Sequence, residues 1–277
     1  IFSKGQKFLE KLMDTIRIIH NLPRSGGTII SKSISAQEGI VLLSEIHPQG
    51  INIREKMGDT PDDGDPLHQF QSWYKLFNDK DYTKIKNSNL NFVDKIKIIS
   101  EKAKKQKKIL VLRDWSFIDF FGKPFTEPTQ KNSLIDTLLK NFKIRNIFLI
   151  RDPIEMYISC NRRLAFFSNN YSFDSFLDGY SLYIENIERD KFIEFEKFIQ
   201  NPTQILKKIS KILDFDFDEN YNQNLGNINI TGDLGASGAS TIENKKSMFN
   251  LLDENQKEKI NKNKKYLEIK RKLSEFN

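Results

Sequence analysis

The stretch Asn21 to Ser35, NLPRSGGTIISKSIS, gathers residues that can hold an anion. Arg24 carries a permanent charge on a planar fork of N–H donors that fits phosphate or sulfate oxygens. Ser25 and Thr28 add hydroxyls, and Gly26 and Gly27 let the backbone turn its N–H groups inward at little steric cost. The segment after the loop has helical apolar spacing, so a positive helix end points at whatever the loop holds. The lysine of the nucleoside-triphosphatase pattern GxxxxGK[ST] is missing. The residues therefore specify an anion site without naming the anion.

Elements that position such a loop are legible around it. TIRIIHNL (15–22) reads as a buried strand, 28–36 as the helix after its loop, and GIVLLSEI (39–46) as a second strand. DTPDDGDP (59–66), with its Gly, Pro and Asp residues, predicts a surface loop. A helix at 91–106 leads to a third strand, KILVLRDW (108–115), and a helix near 131–142 to a fourth, RNIFLIRD (145–152). Pro153 suits the first position of a helix running to about Phe166. Another helix spans 173–188, then a short strand 191–195 and a helix from 201. Near-continuous apolar strands between helices predict an α/β fold, a mainly parallel sheet covered on both faces. One domain over 1–277 is expected, with an amphipathic helix at 1–14 and a C-terminal loop and helix in 227–277.

The hexapeptide PRSGGT after a first strand resembles the 5′-phosphosulfate loop of sulfotransferases that use 3′-phosphoadenosine 5′-phosphosulfate (PAPS), where a Lys or Arg stands at the Arg24 position. FLIRDPIEMYISCNRR (148–163) is a second, independent similarity. The family's 3′-phosphate signature is a strand ending in Arg-Asp-Pro, with a Ser eight positions after the Arg; here these are Arg151 and Ser159. KFIEFEKFIQNPTQILKKISKILDF resembles the family's strand, YEDLVxxP segment and helix, with Phe195 where a Tyr is usual and Lys197 where an Asp is usual. The resemblance covers about residues 15 to 214. It implies a three-layer P-loop-type fold, sulfuryl transfer from PAPS, and no required metal. On it, Arg24, Ser25, Gly26, Gly27, Thr28, Arg151 and Ser159 bind the donor.

Sulfuryl transfer needs a group to take the proton of the attacking hydroxyl or amine, and donors to absorb the growing negative charge. Glu45 is the first candidate base. It ends the second strand, 21 positions after Arg24, the separation of the proposed base in the tyrosylprotein-type branch of the family. Asp114 is the second, at the end of the third strand, where simpler relatives place a catalytic His region. His47 and His68 remain available, and His20, inside a strand, reads as a core residue. Arg24 is expected to act in catalysis as well as in binding.

Composition bounds the rest. The chain has 277 residues, 38% hydrophobic and 29% charged, with a net charge of +7 that suits a polyanionic ligand. A phosphorylated nucleotide rather than nucleic acid is the expected partner, with a small-molecule, carbohydrate or peptide acceptor. The lysine run in 94–108 reads as a solvated helix face. No apolar run approaches the roughly 20 residues of a membrane-spanning helix. Cys160 is the only cysteine, so no internal disulfide can form, and a reducing, cytoplasmic setting is expected. Gly232 and Gly235, in the Gly- and Ser-rich stretch 227–241, are weaker candidates for touching the 3′-phosphate, with Lys245 and Lys246 as the nearest basic residues. Trp73 and Tyr74 can border an acceptor pocket or pack inward. Two other readings compete: a P-loop kinase or nucleotide hydrolase, which wants the missing lysine, and a non-catalytic nucleotide binder.

Overall fold

β-Branched and leucine-rich runs form five parallel strands: β1 Thr15–Asn21, β2 Ile40–Ile46, β3 Ile109–Asp114, β4 Lys143–Ile150 and β5 Phe192–Glu194, in the order β2-β3-β1-β4-β5. This computed structural model describes residues 13–228, 230–231, 242 and 247–275. Helix α1 (Gly27–Ser35) follows β1; α2 (Gly50–Met57), α3 (Pro66–Tyr74), α4 (Asp79–Lys86) and α5 (Phe92–Lys105) lie between β2 and β3. Between β3 and β4 come α6 (Phe117–Phe120) and α7 (Ser133–Leu138). Helices α8 (Pro153–Arg163), α9 (Phe167–Asn170) and α10 (Phe173–Glu185) precede β5, and α11 (Phe195–Gln200) and α12 (Pro202–Leu213) follow it. The described C-terminal part holds α13 (Glu254–Asn261) and α14 (Lys264–Ser274).

Alternation along the strands splits the core between two faces. Ile19, Leu42, Val111, Ile147 and Leu149 pack on α1 and α12. Ile16, Ile18, Val41, Leu43, Leu110 and Leu112 point the other way, against α3, α5 and α7. Phe148 and Ile150 share a third cluster with α8 and α10. The buried Tyr183 hydroxyl of α10 lies 2.9 Å from the His20 carbonyl and 3.0 Å from the Leu149 carbonyl, bracing β1 against β4 near their carboxyl ends. The strand order turns back at β1, so the loops after β1 and β4 leave adjacent strands, where ligands of open α/β sheets bind.

The expected strands and the parallel, two-sided sheet are borne out. Boundaries move where caps decide them. The helix from Pro153 stops at Arg163, because Leu164 turns extended (φ −117°). The helix expected near 131–142 is only Ser133–Leu138. Within 59–66, Pro61–Gly64 forms a 3₁₀ turn, and the Asp65 side chain caps α3 by accepting from the Leu67 N–H. The short α2 and α4 escape the sequence reading because they bury little; α4 buries no residue at all. The expected helix at 1–14 lies almost wholly outside the described residues, as do Gly232, Gly235, Lys245 and Lys246. Among the described residues, no helix is long and apolar enough to cross a membrane.

Behind the carboxyl end of the sheet, Asp119 of α6 gathers a buried hub. It accepts from the Thr129 hydroxyl (2.5 Å), the Ser133 N–H (2.9 Å) and hydroxyl (2.6 Å), and His47 Nε2 (3.3 Å). His47 Nδ1 accepts from the Gln49 N–H, so in the neutral ring Nε2 carries the proton. Burial pushes the Asp119 carboxyl up, but the His47, Ser133 and Thr129 hydrogen bonds outweigh it and leave it below the usual carboxylate range. Asp119→Ala strands these donors and should cost about 3 kcal/mol in urea denaturation at neutral pH. With a depressed folded value, the Asp119 contribution is full above the unfolded value of about 4 and lost as pH falls through the folded one. The stability gap between wild type and Asp119→Ala should therefore narrow as pH falls below about 4.

Candidate active site

The chain leaves β1 through Leu22, Pro23, Arg24, Ser25 and Gly26 before α1 begins. Arg24 (φ 63°) and Gly26 (φ 88°) both take left-handed backbone, which folds the loop over the start of the helix. The Ser25 N–H (3.3 Å) and hydroxyl (2.7 Å) both reach the Leu22 carbonyl, and the side chain is buried. Ser25 therefore shapes the turn rather than presenting its hydroxyl to a ligand. Thr28 stands half-buried in the first turn of α1. The first N–H groups of that helix have no intrahelical acceptor, as at any helix start.

The two arginines of the sequence reading meet. Arg24 donates from Nε to the Ser159 hydroxyl at 2.9 Å, and Arg151 donates from Nη1 to the Arg24 carbonyl at 2.9 Å. Ser159 belongs to α8, whose start is fixed by Pro153 and by the Asp152 side chain accepting from the Ile154 N–H. Burial lowers the pKa of both guanidinium groups; Arg163 and Arg151 depress that of Arg24 further, while Glu196, Glu155 and Asp152 counteract for Arg151. Both stay cationic, as arginines in proteins do. Arg151 Nε is buried with no hydrogen-bond partner, a donor with unspent capacity beside the loop. Cys160 lies beneath the loop, 3.8 Å from the Pro23 carbonyl, with its thiol pushed up to about 12 by burial.

Two further side chains shape the site, one of which, Glu155, sequence reasoning passed over. Phe195, the first residue of α11, stacks under the Arg151 guanidinium at 4.9 Å. The same ring closes on the loop, so a Cβ built on Gly26 would lie 2.0 Å from it. Glu155, one turn into α8, sits 3.5 Å from Arg151. It accepts from the Ser247 hydroxyl and from the Met248 and Phe249 N–H groups (3.1 Å each). Burial raises the Glu155 carboxyl but these donors bring it below its usual range. Sequence reasoning noted Phe195 only as a residue at a position where a Tyr is usual; Glu155 gave no signal.

The two candidate bases have different surroundings. Asp114 is wholly buried, accepting from His20 Nδ1 (2.8 Å) and the Ser116 hydroxyl (2.7 Å), a core pair stacked on Phe148. No acceptor can reach it without opening the core. Glu45 occupies a bulge of β2, where the register with β3 slips between Ser44 and Ile46, and its backbone is left-handed (φ 55°). The bulge re-aims its partly exposed side chain, as bulges near sites do. There its carboxylate takes Arg54 Nη2 on one oxygen and Arg113 Nη2, at 3.0 Å, on the other. His47 is spent in the Asp119 hub, and His68 faces Asp62 at 3.3 Å on the exposed 3₁₀ turn. The Tyr74 hydroxyl is tied to the Leu42 backbone, donating to its carbonyl (2.8 Å) and accepting from its N–H (2.9 Å). It packs inward, while Trp73 is half-buried on α3.

No protein-family model matches the sequence, and no curated protein does. Solved structures do match. The sulfotransferase domain from the Synechococcus PCC 7002 olefin synthase superposes with a TM-score of 0.56 at 15% identity, over 88% of this chain and 82% of that one. The sulfotransferase domain from the curacin biosynthetic pathway gives 0.59 at 16% identity, over 95% and 98%. At this identity the shared property is the architecture: the chain has the P-loop-type α/β fold of sulfotransferase domains.

Gly26→Ala should cost about 3 kcal/mol in urea denaturation, from a left-handed alanine plus overlap with the Phe195 ring. Adding Phe195→Ala removes the overlap but not the backbone strain. The double variant should then cost at least about 1 kcal/mol less than the two single losses together.

Proposed function

We propose that the protein is a PAPS-dependent sulfotransferase, and that the joined pair of basic clamps carries this reading. Arg24 and the N–H groups at the start of α1 hold the 5′-phosphosulfate, with Gly26 and Gly27 allowing close approach, Thr28 adding a hydroxyl, and Ser25 fixing the turn. Arg151 and Ser159 hold the 3′-phosphate. The residues fit such a ligand on chemical grounds: two arginines are linked through the loop that opens α1, and Arg151 Nε has no partner. The donor supplies a sulfuryl group on a phosphate leaving group, and the acceptor oxygen or nitrogen forms the new bond to sulfur as the bridging S–O bond breaks.

Glu45 takes the acceptor's proton. Of the two candidates it is the carboxylate with its side chain in reach of solvent, linked through Arg113 to Asn21 at the end of β1, whereas Asp114 is committed to the core. Arg24 holds the sulfuryl and bridging oxygens and counters the charge that grows on them, at a site already built before reaction begins. The acceptor is a hydroxyl or amine of a small molecule, carbohydrate or peptide.

Thermal melts test the donor. 3′-Phosphoadenosine 5′-phosphate at 100 times its Kd should add about 2.7 kcal/mol of stability without metal, and ATP with magnesium should not substitute for it. Arg151→Ala should abolish this shift while the protein stays folded. With labelled PAPS and an acceptor panel, Arg24→Ala should lower kcat by about 100- to 1000-fold rather than only raise KM. A response that requires ATP and magnesium would replace the sulfotransferase reading with a kinase or hydrolase.

A further inference from the structure

Arg54 is a buried arginine with an expensive placement and no part in the clamps. It projects from α2, and its guanidinium lies over the Trp115 ring, 4.4 Å from the centroid. Nη1 donates to Asp59 at 3.0 Å and Nη2 donates to Glu45, while Nε is buried without a partner. Asp59 is itself held by the end of the same helix: Gly58 takes the left-handed cap (φ 75°), and the Asp59 N–H returns to the Arg54 carbonyl at 3.0 Å. Backbone and side chain thus tie Asp59 to Arg54 twice. One end of the guanidinium fork is anchored by a cap, its face by an indole, and the remaining nitrogen is aimed at Glu45.

Glu45 needs that aim. It is the extra residue of the bulge, so its backbone has no ladder partner in the sheet. Arg113 reaches its other oxygen from β3, and is itself pinned by the Asn21 side chain (3.1 Å) and the Thr231 carbonyl (3.2 Å). Each carboxylate oxygen keeps a further lone pair for an acceptor proton. The charged groups in contact with Glu45 among the described residues are Arg54 from α2 and Arg113 from β3, with Asp59 acting through Arg54. We propose that Arg54, seated on Trp115 and anchored by Asp59, is a positioning residue that holds the Glu45 carboxylate in place. The assignment of Glu45 as the base rests on the sulfotransferase reading; the Arg54–Glu45 coupling does not.

The test follows the Glu45 side-chain carboxyl by ¹³C NMR across pH, in the full chain without ligand, with its resonance identified by Glu45→Gln. Removing the nearby cation in Arg54→Gln makes the proton harder to lose, so the Glu45 midpoint should rise by about one to three pH units. Asp59→Asn leaves the guanidinium to Glu45 alone and should move the midpoint down. Arg54→Lys keeps the charge without the fork; it should keep the midpoint within about one pH unit of wild type. It also serves if Arg54→Gln fails to fold, since then the Asp59→Asn shift decides. A midpoint unchanged in the folded Arg54→Gln or, failing that, in Asp59→Asn overturns the proposal. Melts with 3′-phosphoadenosine 5′-phosphate on the same samples separate the two readings. A wild type that ignores the nucleotide sinks the sulfotransferase assignment and leaves the titration result standing. With PAPS turnover, the acidic limb of kcat/KM should move with the NMR midpoint, which a purely structural Arg54 would not cause.

Discussion

The bond from Arg151 to the Arg24 carbonyl is the constraint on which the site depends. It joins the loop after β1 to the end of β4, two strands that are neighbours only because the chain crosses over to β4 on the far side of β1. Two guanidinium groups are thereby kept close. Their repulsion is opposed by the Ser159 hydroxyl on one side, and by the Phe195 ring and Glu155 on the other. An arrangement of cations held by the scaffold stabilises incoming negative charge without reorganising, and this is the form in which protein electrostatics is most effective.

The carboxylates at the carboxyl ends of the strands are sorted by burial and partner. Asp114 and Asp119 each accept from a histidine and at least one hydroxyl inside the core, which makes them part of the packing. Glu45 sits in strained backbone at a bulge and, among the described residues, is paired with two arginines. A left-handed non-glycine residue costs on the order of 1 kcal/mol and persists where surrounding structure enforces it. Here the enforcing contacts are the two guanidinium groups, so the strain and the ion pairs belong to one feature.

Much of this was legible in the sequence. The apolar runs fixed the strands because a buried parallel strand has no polar face to disguise it. The loop was legible because its glycines, arginine and hydroxyl residues are contiguous. The Arg-Asp-Pro end of β4 was legible because proline and aspartate act locally, as first helical residue and cap. Those features are consequences of neighbouring residues on one chain.

What only the tertiary structure decided lies between segments far apart in the chain. The sequence could not rank Glu45 and Asp114 by environment, since the histidine that buries Asp114 comes from β1 and the arginines that hold Glu45 come from α2 and β3. Nor could it reveal that Ser25 turns inward, that Phe195 seats both the loop and Arg151, or that Arg54 rests on Trp115. Local pattern determines which elements form and which charges they carry. Which charges become partners is set by strand order and by a single bulge, and neither leaves a periodic trace in the residues themselves.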